Sequence, residues 1–322
     1  MDLSCMLLPG PGIVEQARAA EAAGYSRVWL SDSPVFYHDV WVAAARVAES
    51  THRVGVGPAV LVPSLRHVVT QAAAVATLET LAPGRAVVAV GTGFTGRMAL
   101  GQRALPWREV EEYVRALRAL LAGGAAEVDG ARVRLMHPDG FTAPAADVPV
   151  LVAANGPKGL EVAKELGDGV MTIGAGQPGF DWCAALTFGT VLADKEPADS
   201  ERAVEAVGPG FVALYHGAYE ADSAALFPNG EEWSASIDAL PAETRHLDLH
   251  ADHLVTVTER DRPLIDADAI TDLTWTGTSD AVAARAEAAG ASGVTEVLFA
   301  PGGPDMVGEL ERFAAALSGV VV

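Results

Sequence analysis

A glycine-rich turn is the first stretch whose residue types and spacing could do chemistry. Gly91, Gly93 and Gly96 follow an apolar run in G-x-G-x-x-G order, which is the spacing of a dinucleotide-binding turn. In that fold the glycines follow the first strand and open a helix. Here three β-like segments precede Gly91, and Pro106 favours a helix that begins at Trp107. We therefore expect the glycines to end a strand of another fold, where either a flat ring approaches the backbone or the chain makes a plain tight turn.

A second stretch, RHLDLHADHLV, contains three histidines at i, i+4 and i+7. A helix would align His246, His250 and His253 on one face, where imidazoles can bind Zn²⁺ or exchange protons near pH 7. Because acidic partners that would orient metal ligands cannot be identified from the sequence, no metal is predicted. We expect His250 to act as a general acid or base, with His246 and His253 beside the substrate. A packed or solvated helix would show the same spacing.

The pattern of the whole chain predicts the elements that would position these residues. Short apolar runs alternate with amphipathic helical segments, and runs without strict polar alternation are typical of parallel strands buried on both faces. No Pro-, Gly- or Ser-rich linker divides the chain. The sequence therefore predicts an α/β fold, a (β/α)8 TIM barrel. We expect a single domain over 1–322, with an irregular insertion at about 194–276 near the C-terminal third.

Composition narrows the class of partner. The 322 residues carry a formal net charge of −20 and a pI of about 4.7, and such a surface repels the phosphates of nucleic acids. The two cysteines lie far apart in the sequence, which suits a reducing cytoplasm better than a disulfide framework. Neither a signal peptide nor an apolar run long enough for a membrane span is visible. We predict a cytoplasmic protein whose partner is a small-molecule substrate, with no nucleic acid and no membrane.

Several blocks, in order, resemble a known family. These are GPAVLVPSLRH, QAAAVATLETLAPGRAVVAVGTG, VPVLVAANGPKGLEVAKELGDGVM and GTSDAVAARAEAAGASGVTEVLFAPGGPD. Together they are similar to the luciferase-like monooxygenase superfamily, and most of all to its coenzyme F420-dependent oxidoreductases, the methylenetetrahydromethanopterin reductase-like branch. The resemblance covers about 1–192 and 275–318. It implies a (β/α)8 barrel that holds coenzyme F420 or FMN across its strand ends, and often a homodimer.

The resemblance also implies which residues would hold the cofactor. A bulge in the third strand, where the family often has a non-prolyl cis peptide, would support the ring from behind. Glycines after the fourth strand would lie beside the ring, and two later loops, AANGPKG and TIGAG, would hold the phosphate and the polar edge of the ring. The predicted cofactor residues are Ala59, Val60, Gly91, Thr92, Gly93, Asn155, Gly156, Gly174, Ala175 and Gly176.

The loop SDSPVFYHD after the second predicted strand departs from the pattern of the branch. Asp32 matches the family, and it is either a catalytic acid or a structural acid that caps the loop. A histidine follows this aspartate in the related enzymes, whereas Ser33 stands here, so proton transfer by that histidine is not expected. Ser33 and His38 are predicted to contact the substrate, although an exposed His38 fits the sequence equally well.

The function that follows is an oxidoreductase that uses coenzyme F420 for hydride transfer or FMN for monooxygenation of a small organic molecule. A cofactor-binding homologue without catalysis, or a barrel enzyme that binds another phosphate compound, stays open.

Overall fold

The computed structural model describes residues 1–321, which contain ten β-strands and twelve α-helices. The strands are β1 (Asp2–Leu7), β2 (Arg27–Leu30), β3 (Gly55–Pro58), β4 (Val88–Val90), β5 (Ala126–Val128), β6 (Ala131–Val133), β7 (Val150–Ala153), β8 (Gly169–Ile173), β9 (Cys183–Phe188) and β10 (Glu296–Ala300). The helices are α1 (Ile13–Ala22), α2 (Val40–Ser50), α3 (Val68–Leu81), α4 (Phe94–Met98), α5 (Trp107–Leu121), α6 (Pro157–Leu166), α7 (Glu201–Glu220), α8 (Gly230–Asp238), α9 (Arg245–Leu249), α10 (Ala267–Leu273), α11 (Ser279–Ala291) and α12 (Met306–Leu317).

Eight parallel strands form the barrel, which confirms the predicted fold. Their order is β3-β2-β1-β10-β9-β8-β7-β4. Parallel bridges from Val56 to Ala86 and from Leu61 to Val90 join β3 to β4 and close the ring. The backbones approach closely at this seam, because a Cβ on Gly57 would lie 1.5 Å from the carbonyl oxygen of Val87. The remaining pair, β5 and β6, forms a separate antiparallel hairpin.

Side chains divide between the inside of the barrel and the surrounding helices, because successive residues of a strand point to opposite sides. Outward-facing valines and leucines pack against α1–α3, α5, α6, α11 and α12 in the largest hydrophobic cluster. Inward-facing residues form a second cluster inside the ring. Its buried members are Met6, Trp29, Ala59, Val87, Ala89, Leu151, Met171, Ala184 and Leu298.

The amino-terminal end of the barrel is closed by a polar network around Glu296, the first residue of β10. Its carboxylate is buried and accepts hydrogen bonds from Ser4 Oγ, from Trp29 Nε1 at 2.9 Å and from Trp182 Nε1 at 2.8 Å. Arg27 Nη1 donates to Glu296 Oε2 at 2.7 Å. We call this group of residues the barrel floor. All the hydrogen-bond donors to the buried Glu296 carboxylate come from β1, from β2 and from Trp182, the residue before β9.

The stretch at 194–276, for which the sequence predicted no regular structure, is helical. Helices α7 to α10 lie in it and share a hydrophobic cluster of their own that includes Phe211, Tyr215, Trp233 and Ile270. Ser200 caps α7, its side chain accepting a hydrogen bond from the backbone N–H of Ala203. We call residues 194–276 the insertion.

The insertion covers the carboxyl-terminal mouth of the barrel. Phe36, in the loop after β2, lies with its ring centroid 5.3 Å from that of His253. Phe94, after β4, approaches Gly217 of α7. A small cavity between the ends of β1, β9 and β10 is lined by Phe188 on the barrel side and by Leu254 on the insertion side. Among residues 1–321, no helix is long and apolar enough to cross a membrane.

Candidate functional site

The mouth is lined by a layer of apolar, inward-facing residues that the insertion leaves partly open. Beneath it, the next inward layer is buried. Ile173 at the end of β8 is 54% exposed. The other partly exposed members of the layer are Leu8, Val60, Ala153, Leu186, Phe188 and Ala300. This layer offers an apolar surface for a flat ring.

Three of the predicted cofactor residues lie together on one side of this layer. The peptide bond between Ala59 and Val60 is cis, as expected. A Cβ on Gly91 would lie 3.0 Å from Val60 Cγ2 and 3.4 Å from Ala153 Cβ. Gly91 therefore makes room for Val60 as well as for any ligand, and these small residues form a continuous wall across the ends of β3, β4 and β7.

The glycines after β4 do open a helix, which corrects the expectation that the first helix here begins at Trp107. Gly93 has a φ of 74° and is the N-cap of α4, a helix of five residues. A Cβ on it would lie 2.4 Å from Val62 Cγ1, so this turn needs glycine for conformation and for packing. Thr92 is partly exposed, and its carbonyl accepts a hydrogen bond from the backbone N–H of Leu105 at 2.9 Å.

The amino terminus of α6 continues the wall beyond β7. Asn155 is exposed, and its Oδ1 accepts a hydrogen bond from the backbone N–H of Ile173 at 3.1 Å, which leaves its amide N–H groups free to donate. Gly156 is the N-cap and provides no side-chain cap, and Pro157 follows. The free N–H groups of the first turn and the helix dipole together suit a phosphate.

The third predicted loop is only partly at the mouth. Gly174 and Ala175 are exposed directly after β8, with Gly174 at a φ of 73°. Gly176 has already left the strand end, because a Cβ on it would lie 2.4 Å from the carbonyl oxygen of Ser292. Ser292 is the C-cap of α11 and belongs to the turn before β10. The structure therefore does not bring Gly176 to the same place as Gly156.

Asp32 is held by an arginine. Arg66 Nη1 donates to both carboxylate oxygens of Asp32, at 2.7 and 2.6 Å, and Arg66 Nη2 bonds Asp39 Oδ2 at 2.8 Å. Burial raises the pKa of Asp32, while Arg66 acts in the opposite direction. Asp39 also caps α2. The arrangement ties the loop after β2 to Arg66, which fits the structural interpretation of Asp32.

The other predicted residues of that loop lie apart from one another. Ser33 is partly buried, and its Oγ would be 3.6 Å from a Cβ on Gly96 in α4. Its carbonyl accepts from the backbone N–H groups of Phe36 and Tyr37. His38 is exposed. The loop thus places Ser33 under α4 but leaves His38 in solvent.

The three sequence-predicted histidines do not share a helical face. Helix α9 ends at Leu249, and His250 is its C-cap. His246 is partly exposed, with its ring near Gly101. His250 and His253 instead meet His216 of α7, a residue that the sequence did not indicate. One ring nitrogen of each lies within 4.8 Å of the others, and all three side chains are buried.

This group, the histidine cluster, is His216, His250 and His253. The Nδ1 atoms of all three, and Nε2 of His216 as well, are buried without a hydrogen-bond partner. Burial lowers the pKa of His216 and lowers the pKa of His253 further. Neighbouring histidines also lower both pKa values, because a second positive charge nearby disfavours the protonated imidazole. Two carboxylates lie beside the cluster: Glu220 Oε1 is 3.3 Å from His250 Nε2, and Asp261 Oδ2 is 3.4 Å from His216 Nε2.

Asp261 is itself firmly oriented. Trp233 Nε1 donates to its Oδ1 at 2.9 Å, and Thr258 Oγ1 donates to its Oδ2 at 2.7 Å. Although burial acts to raise it, the pKa of Asp261 stays below its usual value because His216 and Arg260 stabilise the carboxylate. The cluster therefore lies between a fixed carboxylate and the aromatic ring of Phe36.

Known proteins resemble this chain in sequence. A family model described as luciferase-like monooxygenase matches residues 9–296. An F420-dependent glucose-6-phosphate dehydrogenase from Beutenbergia cavernae is 35% identical over 207 residues, which are 58% of this chain and 60% of that protein. The 5,10-methylenetetrahydromethanopterin reductase of Methanolobus tindarius is 30% identical over 171 residues, 52% of this chain and 51% of the reductase. The match thus spans about half to three fifths of these relatives.

Solved structures share the fold over nearly the whole chain. The coenzyme F420-dependent tetrahydromethanopterin reductase from Methanopyrus kandleri superimposes with a TM-score of 0.72 at 20% identity, covering 99% of this chain and 98% of that one. The oxygenating constituent of 3,6-diketocamphane monooxygenase from Pseudomonas putida, in complex with FMN, superimposes with a TM-score of 0.63 at 13% identity. The superposition covers 100% of this chain and 99% of that one. With the closed barrel, the open apolar mouth and the extent of the family match taken together, this chain belongs to the luciferase-like monooxygenase family.

Proposed function

We propose that the protein is an oxidoreductase that binds coenzyme F420 at the barrel mouth and transfers a hydride between it and a small organic substrate. The observation that carries the proposal is the partly open apolar layer, which runs from the wall at Gly91 along β7 into the uncapped amino terminus of α6. Similarity to an F420-dependent dehydrogenase at 35% identity supports the choice of cofactor.

The residues of the mouth fit a flat ring with a phosphate-bearing tail. Val60, Gly91 and Ala153 would contact one face of the ring, and the exposed Ile173 would lose its solvent exposure when the ring binds. Asn155 would donate from its free amide to the polar edge of the ring. When bound, coenzyme F420 supplies the hydride donor or acceptor, while the protein positions it and excludes water.

The phosphate of the cofactor would lie at the start of α6. The backbone N–H groups of Lys158 and Gly159 are those of the first turn, and Lys158 adds a positive charge at the same end of the helix. Gly174 and Ala175, exposed at the neighbouring strand end, complete this side of the mouth. In this proposal Gly176 has a packing role against Ser292.

Asp32 takes a positioning role. Its position two residues after β2, together with its two hydrogen bonds from Arg66, keeps Ser33 and Phe36 in place at the edge of the mouth. Thr92 and Ser33 would lie on the substrate side of the ring. His38 is exposed and His246 lies over Gly101, so neither is given a substrate contact.

A pair of variants at Gly156 tests the position of the phosphate. A Cβ there meets no atom within 4 Å, so Gly156→Ala should fold and bind as the parent does. In Gly156→Asp the carboxylate can cap α6 and would occupy the place of the phosphate. Electrostatic repulsion of about 1–3 kcal/mol should raise the Kd for F420 by roughly 5- to 150-fold. Fluorescence titration measures the affinity of both variants for F420. Equal affinities would show that the phosphate does not bind at this helix.

The cellular setting is part of the same proposal. Cys5 and Cys183 are both buried and unpaired, which fits a protein that works in the cytoplasm. The homodimer implied by the family stays a prediction, and light scattering after gel filtration would test it.

A further inference from the structure

The histidine cluster is built like a metal site rather than like a packed core. Buried polar groups are nearly always hydrogen-bonded, yet the Nδ1 atoms of His216, His250 and His253 have no partner. The three side chains come from separate parts of the insertion, namely α7, the end of α9 and the turn beyond it. Chance packing of apolar helices gives no reason for three such nitrogens to meet.

The spacing of the rings suits a single four-coordinate ion. Zn²⁺ binds imidazole nitrogen at about 2.0–2.1 Å, so neighbouring ligand atoms of a tetrahedral site lie about 3.4 Å apart. The ring centroids are 5.4 Å apart for His250 and His253, 5.7 Å for His216 and His250, and 5.8 Å for His216 and His253. With one nitrogen of each ring within 4.8 Å of the others, small side-chain rotations would bring them to ligand distance.

Carboxylates lie beside two of the three imidazoles. A histidine that binds a metal through one nitrogen usually offers the other to a carboxylate, which fixes the ring and strengthens the ligand. Glu220 faces His250 Nε2, and Asp261 faces His216 Nε2.

We propose that His216, His250 and His253 bind one Zn²⁺ ion, with Glu220 and Asp261 orienting two of the imidazoles. The ion would link α7 to the segment after α9 and hold the insertion over the barrel mouth. Phe36 lies against His250 and His253, and Tyr37 Oη donates to the carbonyl of His253 at 2.7 Å. The metal would therefore also fix the position of the loop that follows β2. An ion on His250 leaves that ring no lone pair for acid–base catalysis.

The direct test is calorimetric titration of tag-free protein, previously dialysed against a chelator, with Zn²⁺ alone. We expect one saturable site per chain. Co²⁺ in the same site should give the intense visible absorption of a four-coordinate complex. The absence of a saturable site for Zn²⁺ in the wild-type protein would overturn the proposal without any variant.

Variants assign the site to the cluster. His216→Gln removes one ligand with little change in volume and should raise the Kd for Zn²⁺ by at least about 100-fold, whereas Glu220→Gln should raise it by about 10- to 100-fold. His246→Ala is the matched control, because His246 lies in the same segment but outside the cluster, and it should bind as the wild type does. Equal affinity in His216→Gln and in the wild type would contradict the proposal.

A thermal measurement covers the case in which His216→Gln folds poorly. Zn²⁺ at 100 times its Kd should stabilise the folded protein by about 2.7 kcal/mol and raise the unfolding midpoint of the wild type and of His246→Ala alike. In His253→Gln, a second ligand variant, the metal should leave the midpoint unchanged. A midpoint that rises equally in all three proteins would place the ion elsewhere.

Discussion

The two ends of the barrel differ in whether their buried polar groups have hydrogen-bond partners. At the barrel floor, the carboxylate of Glu296 receives hydrogen bonds from Ser4, Trp29, Trp182 and Arg27. At the other end, the histidine cluster leaves four buried ring nitrogens without a hydrogen-bond partner. A buried network in which every polar atom has a hydrogen-bond partner stabilises the fold, whereas polar atoms without partners can still bind a ligand. The contrast supports the two proposals that place a cofactor and a metal ion at the mouth, while the floor stabilises the fold.

The largest expected effect comes from breaking the floor. Glu296→Ala would leave two indole N–H groups without their acceptor and would remove the buried one of the two carboxylates that pair with Arg27. Loss of one partner of a buried ion pair costs about 3–5 kcal/mol. Urea unfolding followed by circular dichroism should show the loss. Asp2→Asn is the control, because Asp2 bonds the same arginine at 2.6 Å from an exposed position; it should cost less than about 1 kcal/mol.

The opposite result is expected at the histidine cluster. His253→Leu exchanges a buried imidazole whose Nδ1 is unpaired for an apolar side chain of similar size. Removal of an unsatisfied polar group recovers part of a desolvation cost of about 1–3 kcal/mol, so metal-free protein should be no less stable than the wild type. Urea unfolding in the presence of a chelator measures this. A loss as large as that of Glu296→Ala would show that the cluster is structural in itself.

A smaller effect should appear where the insertion leaves the barrel. Hydrogen bonds from Arg202 lower the pKa of Glu196 to about 2. The folded form therefore favours the carboxylate, so the stabilisation is present above the ordinary value of 4.5 and is lost as the pH falls toward 2. Since Arg202 is 35% exposed, screening reduces the contribution to about 1 kcal/mol. In Glu196→Gln the free energy of unfolding should depend less on pH in this window than in the wild type. Near pH 7 the two proteins should show the same pH dependence.

The barrel could be predicted from the sequence because its strands are continuous apolar runs and its outer helices keep a regular pattern. Helix α5 begins at Trp107, directly after Pro106, as the sequence predicts. The bulge at Ala59–Val60 was predicted only through the family resemblance, since small apolar residues carry no periodic signal of their own, whereas Gly91 was singled out by the glycine spacing.

The insertion could not be predicted, and α7 shows why. It contains Gly208, Pro209 and Gly210, which normally interrupt a helix. Here the missing side chains are needed for packing: a Cβ on Gly208 would lie 2.6 Å from Val257 Cγ2, and one on Gly210 would lie 2.4 Å from Phe188 Cδ1. Because α7 was not recognised as a helix, His216 near its end could not be grouped with His250.

Similarly, the spacing of the three histidines suggested a helical face that the chain does not form. Arg260 Nη1 donates to the carbonyl of Asp248 at 2.7 Å and Asp252 takes a φ of 54°, so the backbone turns after Leu249. Contacts of this kind join residues more than ten positions apart, and a local pattern does not contain them.

The measurement that tests the central claim most directly is a fluorescence titration of the wild-type protein with coenzyme F420 and, separately, with FMN. If the mouth of the barrel holds a deazaflavin, F420 should bind saturably at one site per chain and more tightly than FMN, and Gly156→Asp should weaken that binding while Gly156→Ala does not. Tighter binding of FMN would favour monooxygenation as the function. Failure of the wild-type protein to bind either cofactor would contradict the account and leave a family member without a flavin-type cofactor.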